Sequence, residues 1–247
     1  MMNRRQALMG LTGLAAIAAT PAFAQGKPMR IATDSTFPPF ESLKDGKPVG
    51  FDIDLMDAIA AEMGRKVEWT SIDFKGLIPG ILAGRFDMAV SAIYITPERQ
   101  KVVDFTDPYY AGGLVVIKRA NETGITDVAS LDGKTVSVQQ GTKSVSFLAK
   151  TYPKIHTDVV ETNEEMFDML RTKRVDAVVT GRPAALLFVK QNPDMALLAT
   201  PLTKEEYGMA VSKKEPELTK QVNAALVALR KNGTYKTLVT KWFGAAG

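Results

Sequence analysis

The sequence contains no cysteine, so no disulfide braces the fold and its stability has to come from packing alone. It contains one histidine, His156, which removes histidine-based catalytic triads and multi-histidine metal sites from consideration. Beyond residue 24 no stretch stays apolar for the roughly 20 residues that cross a bilayer. Charge of one sign is also scarce: 31 Lys and Arg against 27 Asp and Glu leave a formal +4, scattered rather than clustered, so nucleic acid is not expected as a partner. Internal repeats and low-complexity runs are lacking, which points to a compact chain.

What stands at the start is an address. Arg4 and Arg5 lead into the apolar stretch Ala7 to Ala19, and Ala22-Phe23-Ala24 places alanines at cleavage spacing. Residues 1–24 are therefore expected to be a cleaved signal peptide, with the mature chain in the periplasm from Gln25 onward. Gly10, Gly13 and Pro21 interrupt the run and argue against a membrane anchor. The Arg4-Arg5 pair with Leu8 also suits a twin-arginine signal, so the export route stays open. Loss of the two arginines lowers the formal charge from +4 to +2. About 220 residues remain, enough for two lobes of about 100 residues that each bury a core.

Short β-type runs alternate with helical patterns, the signature of βαβ units. The first series predicts a strand at Met29 to Thr33, a helix at Phe51 to Met63 with Asp52 as candidate N-cap, a strand at Lys66 to Ile72, a helix at Gly76 to Ala83 and a strand at Asp87 to Ser91. After Gly112-Gly113 a second series predicts strands at Leu114 to Lys118, Thr135 to Gln139, Thr157 to Val160 and Ala177 to Thr180. Its helices are expected at Lys143 to Lys150, Glu164 to Leu170 and Pro183 to Lys190. A strand at Gly208 to Ser212 and helices at Glu215 to Arg230 and Tyr235 to Phe243 close the chain. This last part has too few strands to stand alone and is expected to return to the first lobe. The crossovers then fall near Ala111 to Gly113 and Pro201 to Glu206.

In open α/β sheets ligands gather outside the carboxyl ends of the strands, so the residues just after each predicted strand are the candidates. After the first strand, Asp34 and Phe37 flank a turn stiffened by Pro38 and Pro39; Asp34 suits a ligand cation, or caps the turn. Phe74 lies between a strand and a helix, where it stacks on a ligand or plugs the core. After Ser91 come Ala92 and Tyr94, then Thr96 capping a short helix with Pro97 at its first position, then Arg99, suited to a bidentate grip on a carboxylate or to a surface ion pair. Gln140-Gly141-Thr142-Lys143 opens a helix whose N–H groups suit an anion, or is an ordinary Thr142 cap.

Together these segments resemble the polar amino-acid family of ABC-transporter substrate-binding proteins, bacterial solute-binding family 3, which includes histidine, lysine/arginine/ornithine and glutamine binders. The resemblance covers essentially the whole mature chain. It rests on Thr33-Asp34 with Phe37 and Pro39-Phe40, Gly50-Phe51-Asp52-Ile53-Asp54-Leu55, Ile95-Thr96-Pro97-Glu98-Arg99, Val103-Asp104-Phe105, Gln140-Gly141-Thr142 and Asn232-Gly233-Thr234-Tyr235. It implies an α/β, two-lobed periplasmic-binding-protein fold of type II, each lobe a central sheet flanked by helices, joined by two hinge crossovers. Residues 25–112 and 203–247 would form one lobe and 113–202 the other.

The resemblance further implies a monomer that hands a polar or cationic amino acid to an inner-membrane ABC permease, or presents its closed form to a chemoreceptor. Arg99 would clamp the ligand carboxylate, helped by main-chain N–H groups around Ala92 and Lys143. Phe37 and Phe74 would sandwich the side chain and Asp34 would meet its polar end, with Ser91, Tyr94 and Thr142 completing the site as the lobes close by a hinge. No cofactor or metal is implied. Two positions depart from the family: Tyr94 stands where Ser or Thr is usual, and Gly181 stands where an aspartate normally pairs with the ligand ammonium. They open a second reading, a binder of a modified amine such as an opine, a betaine-like or an ectoine-like solute, caged by Tyr94, Phe37 and Phe74. A third, enzymatic reading follows the related cyclohexadienyl dehydratases. It requires a general acid that neither Gly181 nor His156 supplies, so the chain is expected not to be an enzyme.

Overall fold

The computed structural model describes residues 27–244, and the expected signal peptide with its cleavage position lies outside the described residues. The chain begins with β1 (Met29–Thr33), buried on both faces except at Arg30, as befits a strand covered by helices on two sides. A small antiparallel sheet of β2 (Thr36–Phe37), β3 (Glu41–Lys44) and β4 (Lys47–Val49) follows. Next come α1 (Phe51–Glu62), β5 (Val67–Ser71), a 3-10 turn at Phe74–Gly76 running into α2 (Leu77–Leu82), β6 (Met88–Ala89), α3 (Pro97–Gln100), β7 (Asp104–Phe105) and β8 (Tyr110–Ala111). A second series runs β9 (Leu114–Arg119), β10 (Thr135–Gln139), α4 (Lys143–Thr151), β11 (His156–Val160), α5 (Asn163–Arg171), β12 (Ala177–Gly181), α6 (Arg182–Gln191) and β13 (Met195–Leu197). The chain closes with β14 (Glu206–Tyr207), β15 (Ala210–Val211), α7 (Pro216–Lys231) and α8 (Thr234–Phe243).

Two five-stranded sheets result, ordered β5-β1-β6-β15-β7 and β11-β10-β12-β9-β13. In each, four strands run in one direction and one against them: β1 pairs parallel with β5 and β6, and β10 with β11 and β12, while β15 lies antiparallel between β6 and β7 and β9 antiparallel between β12 and β13. In both sheets the connections leave the first parallel strand in one direction and then cross to its other side. The gaps beside β1 and β6, and beside β10 and β12, are therefore switch points where a ligand can approach strand ends. The two passages between the sheets run side by side as an antiparallel ladder, Glu206 opposite Ala111 and Tyr207 opposite Tyr110. No helix among the described residues is long and apolar enough to cross a membrane.

The start of α1 departs from expectation. Asp52 is not its N-cap: the cap position is Gly50, and the N–H groups of Phe51 and Asp52 donate to the carbonyls of Pro39 (2.9 Å) and Phe40 (3.0 Å). Gly50 is compulsory there, at φ +149° and with Phe40 O only 1.9 Å from where a Cβ would sit. This backbone cap frees the Asp52 side chain, which turns inward and is fully buried. Phe51, Ile53, Leu55, Met56 and Ile59 fill the core beneath α1, and α7 and α8 pack against its other flank.

Candidate functional site

The ends of β1, β6, β10 and β12 converge on a narrow cavity between the sheets. Its wall holds Phe37, Phe74, Ser91, Ala92, Tyr94, Thr142, Lys143 and Gly181, eight of the ten residues singled out from sequence. The other two do not line it: Asp34 is joined to it through Ser91 and Gln139, and Arg99 lines neighbouring clefts. The cavity measures about 30 Å³, room for about two water molecules. An amino acid enters only if the facing sheets separate, and contacts across the cleft hold them together. Gln139 Nε2 donates to Asp34 Oδ2 at 2.5 Å, Asn163 Nδ2 donates to Thr36 Oγ1 at 3.2 Å, and Lys75 pairs with Glu161. Gly141, at φ +79°, brings backbone against backbone, with Lys75 Cα 2.8 Å from its virtual Cβ.

The cavity floor is held by a buried polar network. Asp34 N–H donates to Ser91 Oγ at 3.0 Å, and the Ser91 hydroxyl donates to Glu41 Oε1 at 2.9 Å. Asp52 Oδ2 accepts from Ala92 N–H at 2.7 Å and from the Tyr109 hydroxyl at 2.7 Å. Ala92 sits at φ +42°, a left-handed conformation that a non-glycine residue adopts only when its surroundings enforce it. The N–H of Ala92, expected to help grip a carboxylate, is thus committed to Asp52. The carboxyls of Glu41 and Asp52 are both fully buried near one another, and each disfavours a second negative charge there. Burial and the adjacent Asp52 push Glu41 well above the usual carboxylate range, and burial lifts Asp52 to about 6.

Thr96 caps α3 as expected, accepting from Arg99 N–H at 3.2 Å. Its helix swings Arg99 to the junction of the two sheets, where Nη1 donates to Tyr94 O (2.9 Å) and Nη2 to Gly141 O (3.1 Å), with the guanidinium 5.6 Å from the centre of the Phe74 ring. Desolvation pulls Arg99 down to about 10, still protonated at neutral pH. Carbonyls and a ring are weak partners for a guanidinium, and among the described residues no carboxylate pairs with it. Thr142 stands at the N-cap of α4, but its hydroxyl donates to Gln139 O (2.7 Å) and does not cap, leaving the first N–H groups of that helix without a side-chain acceptor. Lys143 turns away to pair with Glu205.

Several cavity residues lie outside the sequence-derived set: Glu41, Gln139, Thr180 and Tyr207 above all. Gln139 ends β10 and Thr180 is the last residue but one of β12, so both lie at the strand ends where the rule looks. Glu41 follows Phe40 inside a short strand, where an isolated acid between buried residues is the one available signal. Tyr207 had none, because only an isolated antiparallel bridge formed in the tertiary fold brings it beside Tyr94.

The profile of the bacterial extracellular solute-binding proteins, family 3, matches residues 29–245. The putative ABC transporter arginine-binding protein 2 of Escherichia coli K12 is 33% identical over 221 residues, covering 87% of this chain and 90% of that protein. An ancestral arginine-binding protein bound to arginine superposes with a TM-score of 0.84 at 40% identity, over 88% of this chain and 98% of that one. The ancestral amino acid-binding protein AncCDT-1, a precursor of cyclohexadienyl dehydratase, superposes with a TM-score of 0.81 at 37% identity, over 87% and 95%.

Proposed function

Since the chain belongs to the bacterial extracellular solute-binding proteins, family 3, we propose that it is the periplasmic receptor of an ABC importer for a polar or cationic amino acid, or a derivative with a free carboxylate. The observation that carries this reading is Arg99, a desolvated guanidinium resting on one carbonyl from each side of the cleft with no carboxylate partner among the described residues. A ligand carboxylate would replace both carbonyls with a bidentate, charge-assisted pair and would face the uncapped N-terminus of α4 as well. Phe37 and Phe74 would pack the side chain and Asp34 would receive its cationic end. Opening and closing about the β8–β14 ladder would admit the ligand and then cover it.

A thermal-melt panel tests the reading. A ligand of micromolar affinity at a thousandfold excess should add about 4 kcal/mol, roughly 8 to 16 °C at this chain length. L-Arginine and related cationic or amide amino acids are expected to give that shift; a panel in which no carboxylate-bearing amine shifts the melt sinks the proposal. Mass spectrometry of material released by denaturing the freshly purified protein would identify the natural ligand.

Acidification should act on fold and binding in opposite directions. Burial pushes Asp34 up to about 6 despite hydrogen bonds from Gln139 and Thr36. Because this lies above the ordinary 3.8, the folded chain binds the proton more tightly than the unfolded chain. Its stabilising effect is fully present below about pH 4 and is lost as pH rises through about 6. Binding a cationic side chain needs the ionised form, so affinity for L-arginine should fall about tenfold between pH 7 and pH 5. Calorimetric titrations at the two pH values check this, and Asp34→Asn should flatten the difference while weakening binding at pH 7.

Turnover is not part of the proposal. Glu41 is an acid in the cavity wall that the sequence reading had not found, but its Oε1 accepts from the Ser91 hydroxyl and its Oε2 is buried without a hydrogen-bond partner. Incubation with prephenate is expected to leave that compound unchanged.

A further inference from the structure

Gly181 closes β12 at φ −66° and ψ 133°, a conformation open to every residue, so nothing in the backbone calls for glycine there. The constraint is space. A Cβ at this position would lie 2.3 Å from Tyr207 Oη, 3.0 Å from Phe37 Cζ and 3.3 Å from Tyr94 Oη. Tyr207 has no freedom to withdraw. It is fully buried, its strand pairs with Tyr110, its carbonyl accepts from Tyr109 N–H at 2.9 Å, and its ring packs edge-on to Phe40 at 5.3 Å and against Tyr94 at 4.6 Å. Its hydroxyl meets that of Tyr94 at 3.1 Å, and both residues line the cavity beside Gly181.

We propose that Tyr207 is a specificity-determining residue: it holds position 181 to glycine and, with Tyr94, lines that end of the cavity with neutral hydroxyls where a side chain from position 181 would otherwise stand. The one acid among the residues of the cavity wall is Glu41, and burial with Asp52 beside it pushes its carboxyl well above the usual carboxylate range, which disfavours a negative charge at this end. Both phenols are held neutral by burial. The ligand class that fits is a carboxylate-bearing compound whose amine is recognised by hydrogen bonds alone, so that an ammonium charge is not required. This inference rests on the amino-acid-binding reading and sharpens it.

The test uses wild type, Gly181→Asp, Tyr207→Phe and the double variant, titrated calorimetrically with L-arginine and with 5-guanidinopentanoate, which is arginine without its α-amine. Wild type should bind the two within about tenfold. Gly181→Asp should lose at least tenfold in affinity for arginine. In the Tyr207→Phe background the same Asp should improve arginine binding ten- to a hundredfold, the size of a new charge-assisted bond, and leave the deamino acid no better bound. Wild type preferring arginine by more than a hundredfold, or Gly181→Asp binding arginine as well as wild type does, would overturn the proposal. Gly181→Ala supplies a readout without ligand. It should lower the melting temperature when Tyr207 is present and have little effect alongside Tyr207→Phe; equal effects in the two backgrounds refute the steric lock. Failure of wild type to bind either compound would count against the proposed ligand class, while the Gly181→Ala melts would still decide the lock.

Discussion

Arg99→Met is expected to weaken binding of an amino-acid carboxylate by two to three powers of ten while leaving the melting temperature of the protein alone within a few degrees. The asymmetry follows from what Arg99 touches. Its two donors rest on carbonyls of Tyr94 and Gly141, each a neutral acceptor, so losing these bonds costs the fold little once the desolvated charge goes with them. A bound carboxylate, by contrast, would lose its bidentate partner inside a closed cleft, and removing one member of a buried charge pair costs about 2 to 5 kcal/mol. Arg99→Lys separates charge from geometry. A single ammonium cannot make the two parallel bonds, so it should recover only part of the loss. Calorimetry on the three proteins, with melts as the control, checks the prediction; near-wild-type affinity of Arg99→Met would remove Arg99 from the site.

Asp52→Ala should have the opposite profile, a loss of about 3 kcal/mol of stability at pH 7, or roughly 6 to 12 °C in melting temperature at this size. The alanine would leave Ala92 N–H and the Tyr109 hydroxyl as buried donors without acceptors and would release the left-handed turn at Ala92. One term opposes the loss: keeping Asp52 ionised at pH 7 with a value near 6 is itself unfavourable, so the net effect is smaller than the two lost bonds suggest. Asp52→Asn can keep a carbonyl acceptor for Ala92 while discarding the charge, and is expected to melt well above Asp52→Ala. Chemical denaturation with matched slopes would measure both; an alanine variant as stable as wild type would show that the floor of the cavity holds itself.

The alternation of strand and helix was legible because each βαβ unit carries its period locally, as in Met29 to Thr33 followed by the apolar face of Phe51 to Ile59. The strand-end rule then drew attention to Asp34, Arg99 and Thr142 without any knowledge of the packing. Strands of two residues, such as β7, β8 and β14, show no period and exist only because a partner pairs with them. Asp52 was misread for a related reason: an acid near a helix start suggests a cap, whereas the carbonyls that cap α1 come from the turn at Pro39 and Phe40. The departure at Gly181 was visible in the sequence, but the tyrosine filling its space lies 26 positions away, in a strand that only the tertiary fold defines.

The strand order of the two sheets also sets the order in which they can be finished. The second sheet draws all its strands from one continuous stretch, β9 to β13, and its contacts form as soon as that stretch is available. The first sheet cannot close on the same schedule, because β15 is the strand that joins β6 to β7, and it is synthesised after the whole second sheet. Until Ala210 and Val211 arrive, β7 has no neighbour, β6 is an open edge and the core beneath α1 lacks α7 and α8. A nascent chain emerging from its N-terminus therefore carries its earliest strands unfinished for most of its synthesis, exposed to mispairing and to any factor that holds unfolded chains. Chains stopped before residue 210 should contain a folded second sheet flanked by a protease-sensitive first half.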